Sequence, residues 1–501
     1  MNKKFFSILL ALALIFSVVP CMTYASSATD LSDWVDSNYA EVANKTLAIN
    51  DVEDFTMFQN ELCVYGRTFE GYTIYLNADL DLNPGWETGV SLEWDENGLT
   101  ADSVQFGTNP GNLYYLPAID TTNNAGKSKQ FGGVFEGQGH SLSGLYLNLN
   151  AGNAASLFGQ VIGTAAVKDL AITNSYFGNG GADLTASKPL AAIFTNVPTG
   201  TTATISNCYI DVDLYEKSTS KNGNIHAKMG GLVGYCAGSL TIENTVYAGS
   251  MSFNTASGTK RMDNAGGFIG LVEGASASPA SVTVTNCVFV GTIWSTYQRV
   301  AGFIGRSQGS ATINMTNCLN LGRIYAPYNM GGIIASILIQ DAAVQNVTLV
   351  DCFTVATDTA KLIAPAGNHN GNCAITASVN GEVKYTLGDA SSETNGTGYA
   401  NTIFRLDPAD LTGIADVFVV TEGTAVPKTL YDLFTAETPE NPENPENPEN
   451  PENPENPEIP ENPSNPETAD EMGMAMGFVI AVMLLSAMMF VVLLPKMANK
   501  Q

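Results

Sequence analysis

The chain has 501 residues, room for several ordinary domains or one long repeat array. Its 49 acidic and 22 basic residues leave a formal net charge of −27, which excludes nucleic-acid binding, because a phosphate backbone needs a basic face. With 45% hydrophobic residues, 14% charged residues and 48 glycines, the composition favours strands and turns over helices.

The N-terminus reads Lys3-Lys4, an apolar run from Phe5 to Val19, then Thr23-Tyr24-Ala25. That order is a secretory signal over residues 1–25, cleaved after Ala25, with an uncleaved membrane anchor as the competing reading. The chain is therefore expected to be exported.

Two patterns recur further on. One is a glycine box: Gly230-Gly231-Leu232-Val233-Gly234, Gly266-Gly267-Phe268-Ile269-Gly270, and the variants starting at Ala301 and Gly331. The other is an Asn or Asp followed by a small or thiol residue, at Asn174, Asn207, Asn244, Asn286, Asn317 and Asp351. An apolar residue stands two places before each: Ile172, Ile205, Ile242, Val284, Met315 and Leu349. Another stands seven places after four of them, at Leu214, Met251, Ile293 and Ile324. The copies are 31 to 42 residues apart, a solenoid spacing. A unit of about three short strands cannot bury its own apolar face and must stack on its neighbours.

Asparagine tolerates the left-handed conformation that a sharp bend needs. Asn174, Asn207, Asn244, Asn286 and Asn317 are thus expected to form a ladder of amides at one corner of stacked coils. Cys208, Cys287, Cys318 and Cys352 follow that corner and read as a column of small buried hydrophobes. No C-x-x-C pair occurs, and one ligand per coil makes no metal site, so neither metal nor cofactor is expected. Of the eight cysteines, Cys21 falls in the signal; the state of Cys63, Cys236 and Cys373 is open.

From Pro439 to Pro466 the chain repeats Asn-Pro-Glu, which fixes an extended, solvated stalk (residues 436–466). Residues 467–501 hold an apolar stretch from Met472 to Leu494, long enough to span a bilayer, followed by Lys496 and Lys500. Asn465-Pro466-Glu467-Thr468-Ala469 resembles a Gram-positive cell-wall sorting signal. The resemblance implies transient engagement by a sortase, which would cut Thr468–Ala469 and link the threonine to the wall. Asn465 and Ala469 depart from the usual leucine and glycine, and a plain transmembrane anchor is the alternative.

The stretch Gly132-Gly133-Val134-Phe135-Glu136-Gly137-Gln138-Gly139-His140, together with Leu76-Asn77-Ala78-Asp79-Leu80-Asp81-Leu82 and the glycine boxes, resembles bacterial surface proteins with GLUG-type repeats. The resemblance covers residues 47 to 355 and implies an all-β, right-handed single-stranded parallel β-helix. By it, residues 26–125 are an N-terminal cap with the first coils, 126–385 the helix repeats and 386–435 a C-terminal cap.

Catalytic constellations are scarce. With only His140, His226 and His369, the chain has no His-Glu-x-x-His and little material for Ser-His-Asp chemistry, and His140 reads as a turn or surface residue. The acid pairs Asp211/Asp213 and Asp79/Asp81 are candidates for carbohydrate cleavage, against a plain solvated strand face. Phe253, Trp294, Tyr297 and Tyr325 fall at similar offsets in successive coils and could make a stacked platform for sugar rings or a protein. The expected function is a non-enzymatic display protein, an adhesin for host or bacterial glycans or proteins. A surface polysaccharide lyase or glycosidase and a structural envelope component are the alternatives.

Overall fold

A computed structural model describes residues 28–36, 44–86, 88, 90–95, 98–104, 129–149, 156–179, 189–218, 228–255, 264–295, 298–326, 328–338, 343–354, 361–363, 372–387, 416–421 and 424–435. The leader at 1–25, the stalk, the sorting motif Asn465–Ala469 and the apolar tail lie outside the described residues. No helix among the described residues is long and apolar enough to cross a membrane.

The described chain is an all-β, parallel, solenoid-like fold. Two large sheets of 22 and 13 strands are built from parallel neighbours one coil apart. Register shows why the sequence repeats. Leu47, Ile74, Phe135, Val167, Ile205, Ile242, Val284, Met315 and Leu349 are successive partners down one wall. All are at most 2% exposed, so the column is the interior. Leu147, Phe177, Leu214, Met251, Ile293 and Ile324 form a second interior column in the same way.

A full coil holds more strands than the three expected from spacing. Residues 228–255 contain five: Lys228–Gly230, Val233–Cys236, Ser239–Glu243, Val246–Tyr247 and Ser250–Thr255. The glycines make the extra breaks. A Cβ on Gly267 would collide with the Gly302 carbonyl and the Phe289 ring, so the box lets an aromatic of the opposite wall pass beneath the backbone. Phe289 in turn stacks on Tyr247 at 6.1 Å and 7°. The bend also turns both apolar residues of each box inward; Phe268 and Phe303 stack at 4.5 Å.

An open solenoid end exposes core and strand edges. Helix α1 (Leu31–Asp36) and helix α2 (Val52–Cys63) cover the first coils. Asp51 caps α2, accepting from the Asp54 backbone N–H at 3.0 Å. The helix presents Phe58 to Phe69, Phe131, Phe135 and Phe158, with ring centroids 5.1 to 6.4 Å apart. At the other end Asn372–Val379 turns through Asn380-Gly381 (φ 50° and 75°) into antiparallel Glu382–Leu387. Asn-Gly supplies the two positive φ values of a tight hairpin.

Of residues 386–435, those described beyond the hairpin lie against the side of the solenoid. Strands Phe418–Thr421 and Thr424–Pro427 and helix α3 (Lys428–Thr435) pack along the outside of a wall. Phe418, Val426, Leu430 and Phe434 cover an outward stripe of Ala171, Tyr209, Val246, Val288, Leu319 and Phe353. The stripe is apolar, and unburied it would cost the hydrophobic gain of a whole column.

Candidate functional site

The recurrent corner is a set of left-handed residues: Asp169, Asn207, Asn244, Asn286, Asn317 and Asp351 have φ between 48° and 54°. Their side chains bond from coil to coil. Asn317 donates to Asn286 (2.9 Å), Asn286 to Asn244 (3.0 Å), Asn244 to Asn207 (3.0 Å) and Asn207 to the Asp169 carboxylate (2.7 Å). Asn174 is not a rung. Ile172 aligns with Leu142 and Ile210 on the next wall, not with Ile205, so Asn174 bends a different corner. Its amide donates to the Trp86 carbonyl and accepts from the Thr88 N–H at 3.0 Å, tying an overlying segment down.

A second run continues the corner toward the N-terminus: Gln138 donates to Asn77 (2.8 Å), Asn77 to Asn50 (2.8 Å) and Asn50 to Asp30 (2.5 Å). Both runs point the same way, and both end on a carboxylate. Where they meet, Gln138 Oε1 is buried without a hydrogen-bond partner among the described residues, and Glu136 bonds the Asp169 carboxyl. Burial first, then Asp169, pushes Glu136 up to about 8, so the pair holds a proton at neutral pH.

Cys208, Cys287, Cys318 and Cys352 are buried beside the ladder. Their thiols approach carbonyls of the preceding coil at 3.5 to 3.7 Å, those of Val167, Ile242, Val284 and Met315. Burial pushes the Cys208, Cys287 and Cys318 thiols far above their usual range, leaving no nucleophilic thiolate. Thr245 stands between Cys208 and Cys287 in the column, and Leu170 precedes Cys208. Cys236, also buried, is pushed up to about 12.

The proposed aromatic platform is partly realised. Ser252, Trp294 and Tyr325 are register partners, but Phe253 pairs with Ser295 and so has the opposite parity. Phe253 stands nine places after Asn244, whereas Trp294 and Tyr325 stand eight after Asn286 and Asn317, and that one-residue difference reverses the face. Tyr297 lies outside the described residues. Trp294 Nε1 is buried without an acceptor among the described residues.

The acid pairs divide. Asp79 accepts from the Ser141 N–H (2.7 Å) and hydroxyl (3.0 Å), and lies 3.5 Å from His140 Nδ1. Burial raises its pKa, but the bonds from His140 and Ser141 outweigh this and lower it. His140 closes a turn, its N–H donating to the Gly137 carbonyl, and its side chain is buried beside this carboxylate rather than on the surface. Asp81 caps a turn by accepting from Asn83 N–H at 3.1 Å. Asp213 is buried and accepts from the Ser250 N–H at 2.9 Å. Burial and mutual repulsion push Asp211 up to about 7; burial, opposed by bonds from Thr88 and Ser250, leaves Asp213 at about 6. Tyr146 and Tyr176 stack at 5.6 Å along the same outer face, with Trp86 edge-on at 5.5 Å.

An open cavity of about 420 Å³ lies in the N-terminal cap, lined by Trp34, Lys45, Arg67, Phe69, Glu70 and Tyr72. The Trp34 and Tyr72 rings meet at 6.1 Å and 52°. The Arg67 guanidinium lies 5.1 Å from the Trp34 ring and is anchored by Glu61 at 2.6 Å; Lys45 Nζ is 5.7 Å from the Tyr72 ring. Rigid aromatic walls with two cations suit a ring-shaped ligand bearing negative charge. These residues are scattered from position 34 to position 72 in the least repetitive part of the chain, so spacing gave no sign of them.

No family model matches the chain, and no curated protein does. A crystal structure of a Bacteroides ovatus protein, described as a candidate immunoglobulin A1 protease, is 15% identical. The match covers 77% of this chain and 93% of that one, at a TM-score of 0.40.

Proposed function

We propose that this chain is a non-enzymatic cell-surface display protein, an adhesin for host or bacterial glycans or proteins. In this reading it is a right-handed parallel β-helix with terminal caps, exported and held to a Gram-positive wall or membrane by its C-terminus. The Asn-Pro-Glu stalk would space the solenoid from its anchor, and a sortase would act once at Thr468–Ala469. The reading rests on the resemblance of the repeats and the tail. The observation that carries the binding function is the cap cavity, whose Trp34, Tyr72, Lys45 and Arg67 form an open aromatic and cationic lining.

The test is a screen of the mature chain on glycan and host-protein arrays, repeated with Tyr72→Ala and Lys45→Ala. Each variant should weaken the captured ligand about tenfold, the size of one lost stacking or cation contact. Binding indifferent to both variants, or none at all, would remove the proposal.

One observation favours a second reading, a surface polysaccharide-active enzyme: the Asp211/Asp213 carboxyls titrate near neutrality, as a general acid must. Release of sugar products that stops in Asp211→Asn would replace the first reading with this one.

A further inference from the structure

The outer face of the smaller sheet gathers Lys228, Arg299 and Arg306 beside a buried hydroxyl. Tyr235, Leu271 and Arg306 are register partners across three coils, and Ser336 precedes the Ile337 that partners Ser307. Arg306 and Ser336 therefore stand one above the other. Arg306 is 6% exposed and Ser336 is 0% exposed. The Arg306 Nε and the Ser336 hydroxyl are both buried without a hydrogen-bond partner among the described residues.

A second guanidinium is close by. Arg299 is buried too, held in the left-handed region at φ 65°, and its charge repels Arg306. Lys228 lies against the Tyr235 ring at 4.0 Å. The Glu273 carboxylate reaches this group. It is shared among the Gln308 amide, the Tyr235 hydroxyl, Lys228 and Arg306.

Burying like charges side by side is costly, and so is a buried donor left unmade. Two guanidiniums and a hydroxyl on adjacent coils match the donor set that binds an oxyanion. We infer that the Arg299, Arg306 and Ser336 face is a binding site for a small oxyanion of carboxylate or sulfate type. The anion would accept from the Arg306 Nε–H and the Ser336 hydroxyl and relieve the repulsion between the two arginines. This site lies on the repeat coils and does not depend on the cap cavity.

The probes are inorganic sulfate, inorganic phosphate, glucuronate and a sulfated disaccharide, each titrated into the full mature chain in a thermal-shift and calorimetric assay. Saturable stabilisation by sulfate is expected, weakened at least tenfold in Ser336→Ala and lost in Arg306→Met. Stronger binding of the sugars than of the inorganic ions would identify an acidic glycan as the source; the reverse would identify a free anion. Ser336→Asp supplies a carboxylate in place. It should match or exceed the wild-type melting temperature without added anion and lose the sulfate response. If Arg306→Met fails to fold, the two Ser336 variants decide. No saturable binding by any probe, or a Ser336→Asp chain that is less stable and still responds to sulfate, overturns the inference.

Discussion

The ladder corner and the outer face of the smaller sheet are built from the same coils and treat polar groups in opposite ways. At the corner every amide finds the amide of the preceding coil, and each run ends on a carboxylate. On the outer face the Arg306 Nε–H and the Ser336 hydroxyl are more deeply buried, yet neither has a hydrogen-bond partner among the described residues. Polar burial is neutral to stability where the repeat supplies both partners, and becomes a mark of something external where it supplies one.

The sharpest way to break the comparison is to cut the ladder in the middle. Asn244→Leu removes a bond on each side and puts a branched side chain at φ 48°. It should cost about 3 kcal/mol, seen as a lower midpoint in urea unfolding. If Asn244→Leu is tolerated, the ladder is ornament and the corner has no special standing.

A smaller effect tests the column beside it. Cys318→Ser places a hydroxyl among Cys287, Cys352 and the core, and should cost about 1 to 2 kcal/mol. Under native conditions a thiol reagent should leave Cys208, Cys287, Cys318 and Cys352 unlabelled, since all are buried.

The gentlest test uses pH. Glu136, Asp211 and Asp213 are raised to about 8, 7 and 6, so the folded chain holds their protons more tightly than the unfolded chain. Their contribution is fully present below about pH 4 and is lost as pH rises through 6 to 8. Stability should therefore decline over that window, and Glu136→Gln should flatten the upper part of the decline. Its effect is about 1 kcal/mol once solvent screening at this half-buried carboxyl is allowed for. A stability curve that rises from pH 5 to 8 would contradict these assignments.

How much of this was legible followed from how local the signal is. Asn207, Asn244, Asn286 and Asn317 were readable because a left-handed bend demands particular residues at one position. Asn174 misled because the pattern of an apolar residue two before an Asn occurs on two walls, and only register tells them apart. The true rung, Asp169, was hidden by Leu170, which stands in the place of the small or thiol residue. The earlier run through Asn50, Asn77 and Gln138 escaped because it stands three residues after the interior column, not two. The cap cavity, the stacked Tyr146 and Tyr176, and the Arg306 and Ser336 pair depend on residues brought together from different coils. No spacing in the sequence encodes them.

The polarity of the ladder has a consequence for how the molecule comes into being. Each donor reaches back to an acceptor that precedes it in the chain, and Asp30 and Asp169 stand at the beginning of their runs. A polypeptide appearing N-terminus first thus always presents a finished template to its newest segment. Winding can keep pace with emergence, one coil at a time, without waiting for the far end.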